Sequence, residues 1–169
     1  MLKIFNDLRP FFEDSYKRIH VREYARIQKI SPPSASTLLK ELKEEGLLIK
    51  EEDKNYLCYY ANRENQIFIM LSRAYWYTQL KNIGLIGSIE KELILPVILV
   101  FGSFSKAEIS QKSDIDIAIF NASKKPNIEK FQKALNREIQ LFIFKDRKDV
   151  KNKELLNSIL NGFIISGGW

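Results

Sequence analysis

The sequence predicts an α+β chain in two parts, and three patterns predict it. From Leu2 to Ala61 apolar residues first recur at helical spacing and then fall into two short strand-like pieces around a polar turn. From about Ile94 onward, runs of branched residues alternate with helical stretches, the pattern of a short mixed sheet with flanking helices. Between them, Asn65 to Leu80 and Ile83 to Leu93 read as two connecting helices. A chain of 169 residues has room for two small domains, placed here at 1–62 and 63–169 with the sheet core from about 94. The part after Ile94 is small for an independent core, so the connecting helices are expected to pack on the sheet.

Each N-terminal element has its own signal. Val21 to Gln28 is a short helix carrying Tyr24 and Ala25, separated by Lys29 and Ile30 from a helix with both ends marked. Ser31 suits the cap, Pro32 the first helical position and Gly46 the left-handed exit. Ala35, Leu38, Leu39 and Leu42 fall on one stripe of that helix. Leu47–Lys50 and Tyr56–Tyr60 follow as strands joined by the turn Glu51-Glu52-Asp53-Lys54-Asn55. Helix, helix, marked helix and hairpin in this order resembles a winged helix-turn-helix domain. In the second part Ile94–Phe101, Asp114–Phe120 and Glu138–Phe144 read as strands, and Ile128–Leu135 and Val150–Ile165 as helices. Phe68, Leu71 and Tyr75, with Ile67 and Ala74, are read as the packing face of the first connecting helix, and Tyr75, Trp76 and Tyr77 as packing between connector and sheet.

Composition excludes several classes. Lys and Arg number 27 against 21 Asp and Glu, a net charge of +6, with 45% hydrophobic residues, which is a mildly basic globular chain. One Cys and one His, Cys58 and His20, exclude an internal disulfide and a four-ligand zinc site of the usual kind, and point to a reducing cytoplasm. The first residues lack an apolar stretch with a small-residue cleavage site, so no signal peptide is expected. The apolar run Leu93–Phe101 is broken by Pro96 and too short for a membrane span.

The chemistry concentrates in one constellation. The strand ending Leu99-Val100-Phe101 runs into Gly102-Ser103, nine residues follow, and then comes Ser113-Asp114-Ile115-Asp116. Alternate strand residues share a face, so Asp114 and Asp116 are held side by side, and a divalent cation between them relieves their repulsion. Glycine lets a phosphate approach the backbone where a strand turns into a helix. Gly102-Ser103-Phe104-Ser105-Lys106-Ala107-Glu108 followed by Ser113-Asp114-Ile115-Asp116 resembles the signature of the minimal nucleotidyltransferases of the DNA polymerase β superfamily. The fold class is therefore α+β, an N-terminal winged helix-turn-helix followed by a small nucleotidyltransferase fold, a combination of archaeal type.

The resemblance implies transfer of a nucleoside monophosphate from ATP or another triphosphate to a hydroxyl, with one or two Mg²⁺ ions held by Asp114 and Asp116. It implies nucleotide contacts from Gly102, Ser103 and Lys106. Two positions depart from the family pattern: Ala107 stands where glycine is usual, and in Arg137-Glu138-Ile139-Gln140-Leu141 the uncharged Gln140 stands where a third carboxylate is usual. Glu138, two residues earlier on the same strand face, is the candidate replacement. An acceptor on a HEPN-type toxin protein, as for antitoxins of this kind, is the partner implied.

The N-terminal part implies a second partner, duplex DNA, and a second function, self-repression. Arg18, Arg22 and Arg26 recur every four residues as a basic stripe, and Ser34, Ser36, Thr37 and Lys40 form the exposed side of the marked helix. Glu41, Glu44, Glu45, Glu51, Glu52 and Asp53 crowd the helix end and wing and oppose phosphate contact there, which leaves a protein-interaction module as another reading. A third is a DNA-binding regulator whose transferase domain senses nucleotide or is silent, with Gln140 as its support. Helix-turn-helix modules pair on half-sites, so a homodimer is expected. Nothing in the sequence accounts for Trp169.

Overall fold

The computed structural model describes residues 2–53 and 56–169. Its contacts divide the chain into two compact units, one running up to Ser72 and including Ala107–Gln111, the other comprising Arg73–Lys106 and Lys112–Trp169. The first unit runs ten residues beyond the boundary read at 62 and takes back a short loop segment. Ser15 ties that segment in: its amide and its hydroxyl donate to the Ile109 carbonyl at 2.7 and 3.1 Å, and the Ile109 amide donates to the Ser15 hydroxyl.

The first unit contains helix α1 (Lys3–Glu13), strand β1 (Ile19–His20), α2 (Val21–Gln28), α3 (Pro32–Glu44), β2 (Leu48–Asp53) and β3 (Tyr56–Ala61). Pro10 lies inside α1 and cannot donate to the Asn6 carbonyl four residues back. The Gln28 amide of α2 donates to that carbonyl at 2.7 Å instead, so α1 keeps a full set of partners at the cost of depending on its neighbour. Lys29 takes a left-handed conformation to end α2, and the Ser31 hydroxyl accepts from the Ser34 amide to start α3. Ala35, Leu39 and Leu42 are buried on α3 while Leu38 is half-buried. Gly46, with φ +73°, turns the chain into β2. The sheet order is β1-β3-β2, all antiparallel, and β2 continues through Glu51 and Glu52, which pair with Cys58 and Leu57. Those glutamates were expected in the turn; polar residues are well accommodated at a sheet edge, so pairing continues. Lys54 and Asn55 of the expected turn lie outside the described residues. This is a winged helix-turn-helix.

Helix α4 (Gln66–Asn82) starts on Asn65, whose side-chain carbonyl accepts from the Ile67 and Phe68 amides. Its buried stripe is Phe68, Ser72, Tyr75, Trp76 and Leu80. Ile67 is 61% exposed and Ala74 is exposed too, so the packing face lies one residue around the helix from the one expected.

The second unit adds α5 (Leu85–Glu92), β4 (Val97–Phe101), α6 (Ser103–Lys106), β5 (Ile115–Phe120), α7 (Glu129–Leu135), β6 (Ile139–Ile143), α8 (Lys153–Leu160) and β7 (Phe163–Ser166). The sheet order is β6-β5-β4-β7, with β5 and β6 parallel and the other pairs antiparallel. Val97, Leu99, Phe101, Ala118, Phe120, Val150 and Ile159 form the core on one face. Ile98, Val100, Ile115, Ile117 and Ile119 are buried on the other face, which explains the unbroken apolar run of β4.

Two expectations fail here. Val150–Ile165 is not one helix: α8 stops at Leu160 and the chain returns as edge strand β7 on β4. The cause is Gly162, which packs so closely on β4 that a Cβ there would lie 2.6 Å from the Val100 carbonyl oxygen. Asn161-Gly162 is a turn signal that the helical spacing had masked. Ile94 and Leu95 are not in β4 either; both are more than 80% exposed, and Leu95 has a positive φ of 46° before Pro96. Among the described residues no helix is long and apolar enough to cross a membrane.

Ala107, at the exit of α6, carries φ +55° while buried. A left-handed conformation costs a non-glycine residue about 1–2 kcal/mol, partly offset in a glycine variant by the greater freedom of its unfolded chain. Ala107→Gly is expected to stabilise the protein by about 1 kcal/mol in urea denaturation; an unchanged or lower midpoint would show that the Ala107 methyl packing outweighs the backbone strain.

Candidate functional site

The two aspartates meet the Gly-Ser turn because β4 and β5 pair in one register. Phe101, the last residue of β4, lies opposite Asp116, so Gly102 leaves the sheet directly beside the Asp116 carboxylate. Gly102 has φ +68°, and a Cβ built on it would collide with Asp116 Oδ2. Both conditions demand glycine, one for the backbone and one for the carboxylate. Ser103 then opens α6 and is half-buried, and Lys106 closes it and is exposed.

Asp114 stands just before β5 and Asp116 within it, both half-buried. Burial, and after it the neighbouring Asp114 charge, push the Asp116 carboxyl above its usual range. The structure thus brings together Gly102, Ser103, Asp114 and Asp116.

Gln140 joins them. The parallel pairing of β5 and β6 sets Gln140 opposite Asp116, and its side-chain amide donates to Asp114 Oδ2 at 2.7 Å. Glu138 is exposed before β6, where its backbone carbonyl accepts from the Ile115 amide. Among the described residues no group of three or more His, Cys, Asp or Glu is placed to hold a metal ion, so Glu138 does not join the two aspartates as a third carboxylate. Register does not separate the two: Gln140 is level with Asp116, and the same pairing carried one step further brings Glu138 level with Asp114, so what sets Glu138 apart is the placement of its exposed side chain.

Three supporting residues had no role assigned in the sequence reading, although Ser105 and Arg137 lie within the motifs quoted there. The Ser105 hydroxyl donates to the Gly102 carbonyl at 2.8 Å, and Arg73 Nε donates to the Ser105 carbonyl at 2.7 Å. Arg137 donates to the Ser113 carbonyl at 3.0 Å, with its guanidinium carbon 5.3 Å from the Trp76 ring and 5.6 Å from the Phe104 ring. The first pair holds the turn and the second holds the approach to Asp114. The one available signal was a lone arginine in the apolar stretch of α4. Trp76 packs edge-on against Phe104 of α6 at 4.7 Å.

In the first unit, Arg22, Arg26 and Lys29 are exposed. Arg18 is engaged, paired with Glu51 at 3.0 Å and lying over the Tyr60 ring. Ser34, Ser36, Thr37 and Lys40 are all exposed on α3. The Ser34 hydroxyl is within 2.8 Å of the Ser31 hydroxyl, and that of Thr37 donates to the Pro33 carbonyl. Among the described residues, Ser36 and Lys40 are engaged in no such local bond. His20 Nδ1 faces the Leu57 carbonyl at 3.2 Å, consistent with a backbone contact.

The family model described as polymerase beta, nucleotidyltransferase matches residues 81–167. No curated protein sequence matches the chain. Among solved structures, a mutant of Lactococcus lactis ZitR is similar at 13% identity and a TM-score of 0.39, over 52% of this chain and 60% of that one. The family match covers more than half of the chain and contains the Gly-Ser turn, both aspartates and Gln140, and the protein belongs to the polymerase β nucleotidyltransferase family.

Proposed function

We propose that the second unit binds a nucleoside triphosphate together with Mg²⁺ and transfers its nucleoside monophosphate to a hydroxyl. The observation that carries this reading is the Asp116 carboxylate packed against Gly102, which sets a cation ligand beside a turn that a phosphate can approach. Asp114 and Asp116 would hold the cation, and Gly102, Ser103 and Lys106 would face the phosphates. Bound there, the ion supplies charge neutralisation to the triphosphate. The charged donor set suits one ion: at the third position Gln140 donates through Nε2 to Asp114 and offers a cation only an uncharged amide oxygen. By resemblance the acceptor is a protein hydroxyl on a HEPN-type partner, and the winged helix contacts duplex DNA through Arg22, Arg26 and Lys40 to repress its own operon.

A second reading is favoured by the Gln140–Asp114 hydrogen bond. Gln140 cannot act as a base toward the acceptor hydroxyl, so the site holds nucleotide as a signal to the DNA-binding module and transfers nothing. Both readings require the same bound triphosphate.

Calorimetry with ATP and the other triphosphates, with and without Mg²⁺, tests that shared step. Asp116→Asn is expected to weaken Mg²⁺-dependent binding at least tenfold, about 1.4 kcal/mol. The same variant is expected to raise the melting temperature of the cation-free protein at neutral pH. A carboxyl raised above its unfolded range costs stability while ionised, and that cost disappears as pH falls through the raised value, so the gain should vanish in acid. Mg²⁺-independent binding in both proteins would sink the cation role.

Pyrophosphate release separates the two readings. Transfer predicts release by the wild type that is lost in Asp114→Ala and kept in Glu138→Gln. Sensing predicts none by the wild type, and release raised about 10²–10⁴-fold by Gln140→Asp, which restores a base.

For the first unit, electrophoretic shift of duplex DNA at several salt concentrations is expected to show binding that weakens in Arg22→Ala and Arg26→Ala, with the log–log salt slope reduced by about 1 for each. Unchanged slopes would leave the exposed arginines as a solvated face.

A further inference from the structure

Strands β5 and β6 are parallel, so the loops that leave them, residues 121–127 and 144–151, emerge at the same end of the sheet, away from Asp114 and Asp116. Four residue steps along β5 from Asp116 to Phe120, about 13 Å, separate this end from the nearer carboxylate. The Ala122 amide donates to the Phe144 carbonyl at 3.1 Å and ties the two loops together. They carry Lys124, Lys125, Lys145, Arg147, Lys148 and Lys151 against two acidic residues, Asp146 and Asp149. All six basic residues are exposed. The two aspartates are turned inward on their own backbone, Asp146 accepting from the Lys148 amide and Asp149 from the Asp146 amide. Four of the chain's six net positive charges therefore sit on fifteen residues at one edge.

Trp169 stands in this patch. The residue is 59% exposed, and its ring packs edge-on against Phe120 at 5.0 Å and carries the Arg147 guanidinium 3.4 Å from its centre. An exposed indole beside a cluster of cations is the combination that holds unpaired bases: the cations follow the phosphates and the ring stacks on a base. A duplex offers phosphates without free base faces. From this juxtaposition we propose that the β5–β6 loop end of the second unit, with Trp169 as its stacking ring, is a binding surface for single-stranded nucleic acid.

The test uses the intrinsic fluorescence of the full chain, because its other tryptophan, Trp76, is 3% exposed and Trp169 dominates any quenching from outside. Titration with twelve-nucleotide (~12) single strands of thymidine or uridine is expected to quench emission, with affinity falling with salt at a log–log slope near −0.7 per phosphate held. The uridine and thymidine arms distinguish RNA from DNA as the source. Lys124→Ala/Lys125→Ala, which leaves the Trp169 contacts in place, should weaken binding several-fold, and Lys145→Ala/Lys148→Ala likewise. Trp169→Ala, followed by anisotropy of a labelled strand, should weaken it about 5- to 100-fold, the value of one stacked base. Arg22→Ala/Arg26→Ala and Asp116→Asn should leave the quenching unchanged, which keeps this surface distinct from the duplex-DNA and triphosphate readings. Absence of quenching, equal binding of a duplex or of polyphosphate, or full affinity in both lysine double variants would overturn the proposal.

Discussion

The Asp116 carboxylate lies against the Cα of Gly102, and most of the second unit is arranged around that contact. It is set by the register in which Phe101 faces Asp116, the pairing of β4 and β5 at the centre of the sheet. It forbids any side chain at position 102, whose φ already excludes most residues. It also half-buries a carboxylate next to another, a net cost in the cation-free protein. Stable folds carry such costs at functional sites and offset them elsewhere. Here the offset is a core buried on both faces of β4 and β5.

The supports of the site come from elements far apart in sequence, and each reaches it through a backbone carbonyl. Arg73 on α4 holds Ser105, Ser105 holds Gly102, and Arg137 before β6 holds Ser113. A carbonyl accepts without titrating, so the turn and the approach to Asp114 keep their shape whatever the charge state of the aspartates. Burial lowers the affinity of the Arg73 guanidinium for its proton, yet an arginine has ample margin to remain charged. The first unit uses the same device: Gln28 supplies the donor that Pro10 lacks.

Much of this was legible in the sequence because it rests on local chemistry. Ser31, Pro32 and Gly46 mark α3 in the order that capping physics requires, and the Gly-Ser turn with Asp114 and Asp116 marks the site by spacing alone. What was hidden depends on pairing across the chain. The replacement of the last helical turns by β7 follows from Gly162 needing to touch the β4 backbone, and no periodicity reports that. The level of Gln140 with Asp116 follows from the β5–β6 register, and the hydrogen bond from Gln140 to Asp114 follows from that level. Ala107 looked a trivial departure from glycine; the structure places it at positive φ, where the missing glycine has a physical consequence. Trp169 acquires a role through Phe120 and Arg147, partners 49 and 22 positions away.

The amide at position 140 changes the two aspartates unequally. Asp114 has a hydrogen-bond donor 2.7 Å from one of its oxygens, so its charge is partly met inside the protein. Asp116 has the backbone of a glycine turn on one side, burial around it and a like charge beside it. A cation entering the site therefore gains most from Asp116, the carboxylate nearest the turn where the phosphates would lie, and less from Asp114, whose committed oxygen it would have to compete for. A third carboxylate at position 140 would reverse this balance by repelling Asp114. On the proposed reading, the amide at position 140 would thus separate holding a triphosphate from reacting it: the first would rest on Asp116 and Gly102, and the second would need a base that glutamine does not provide.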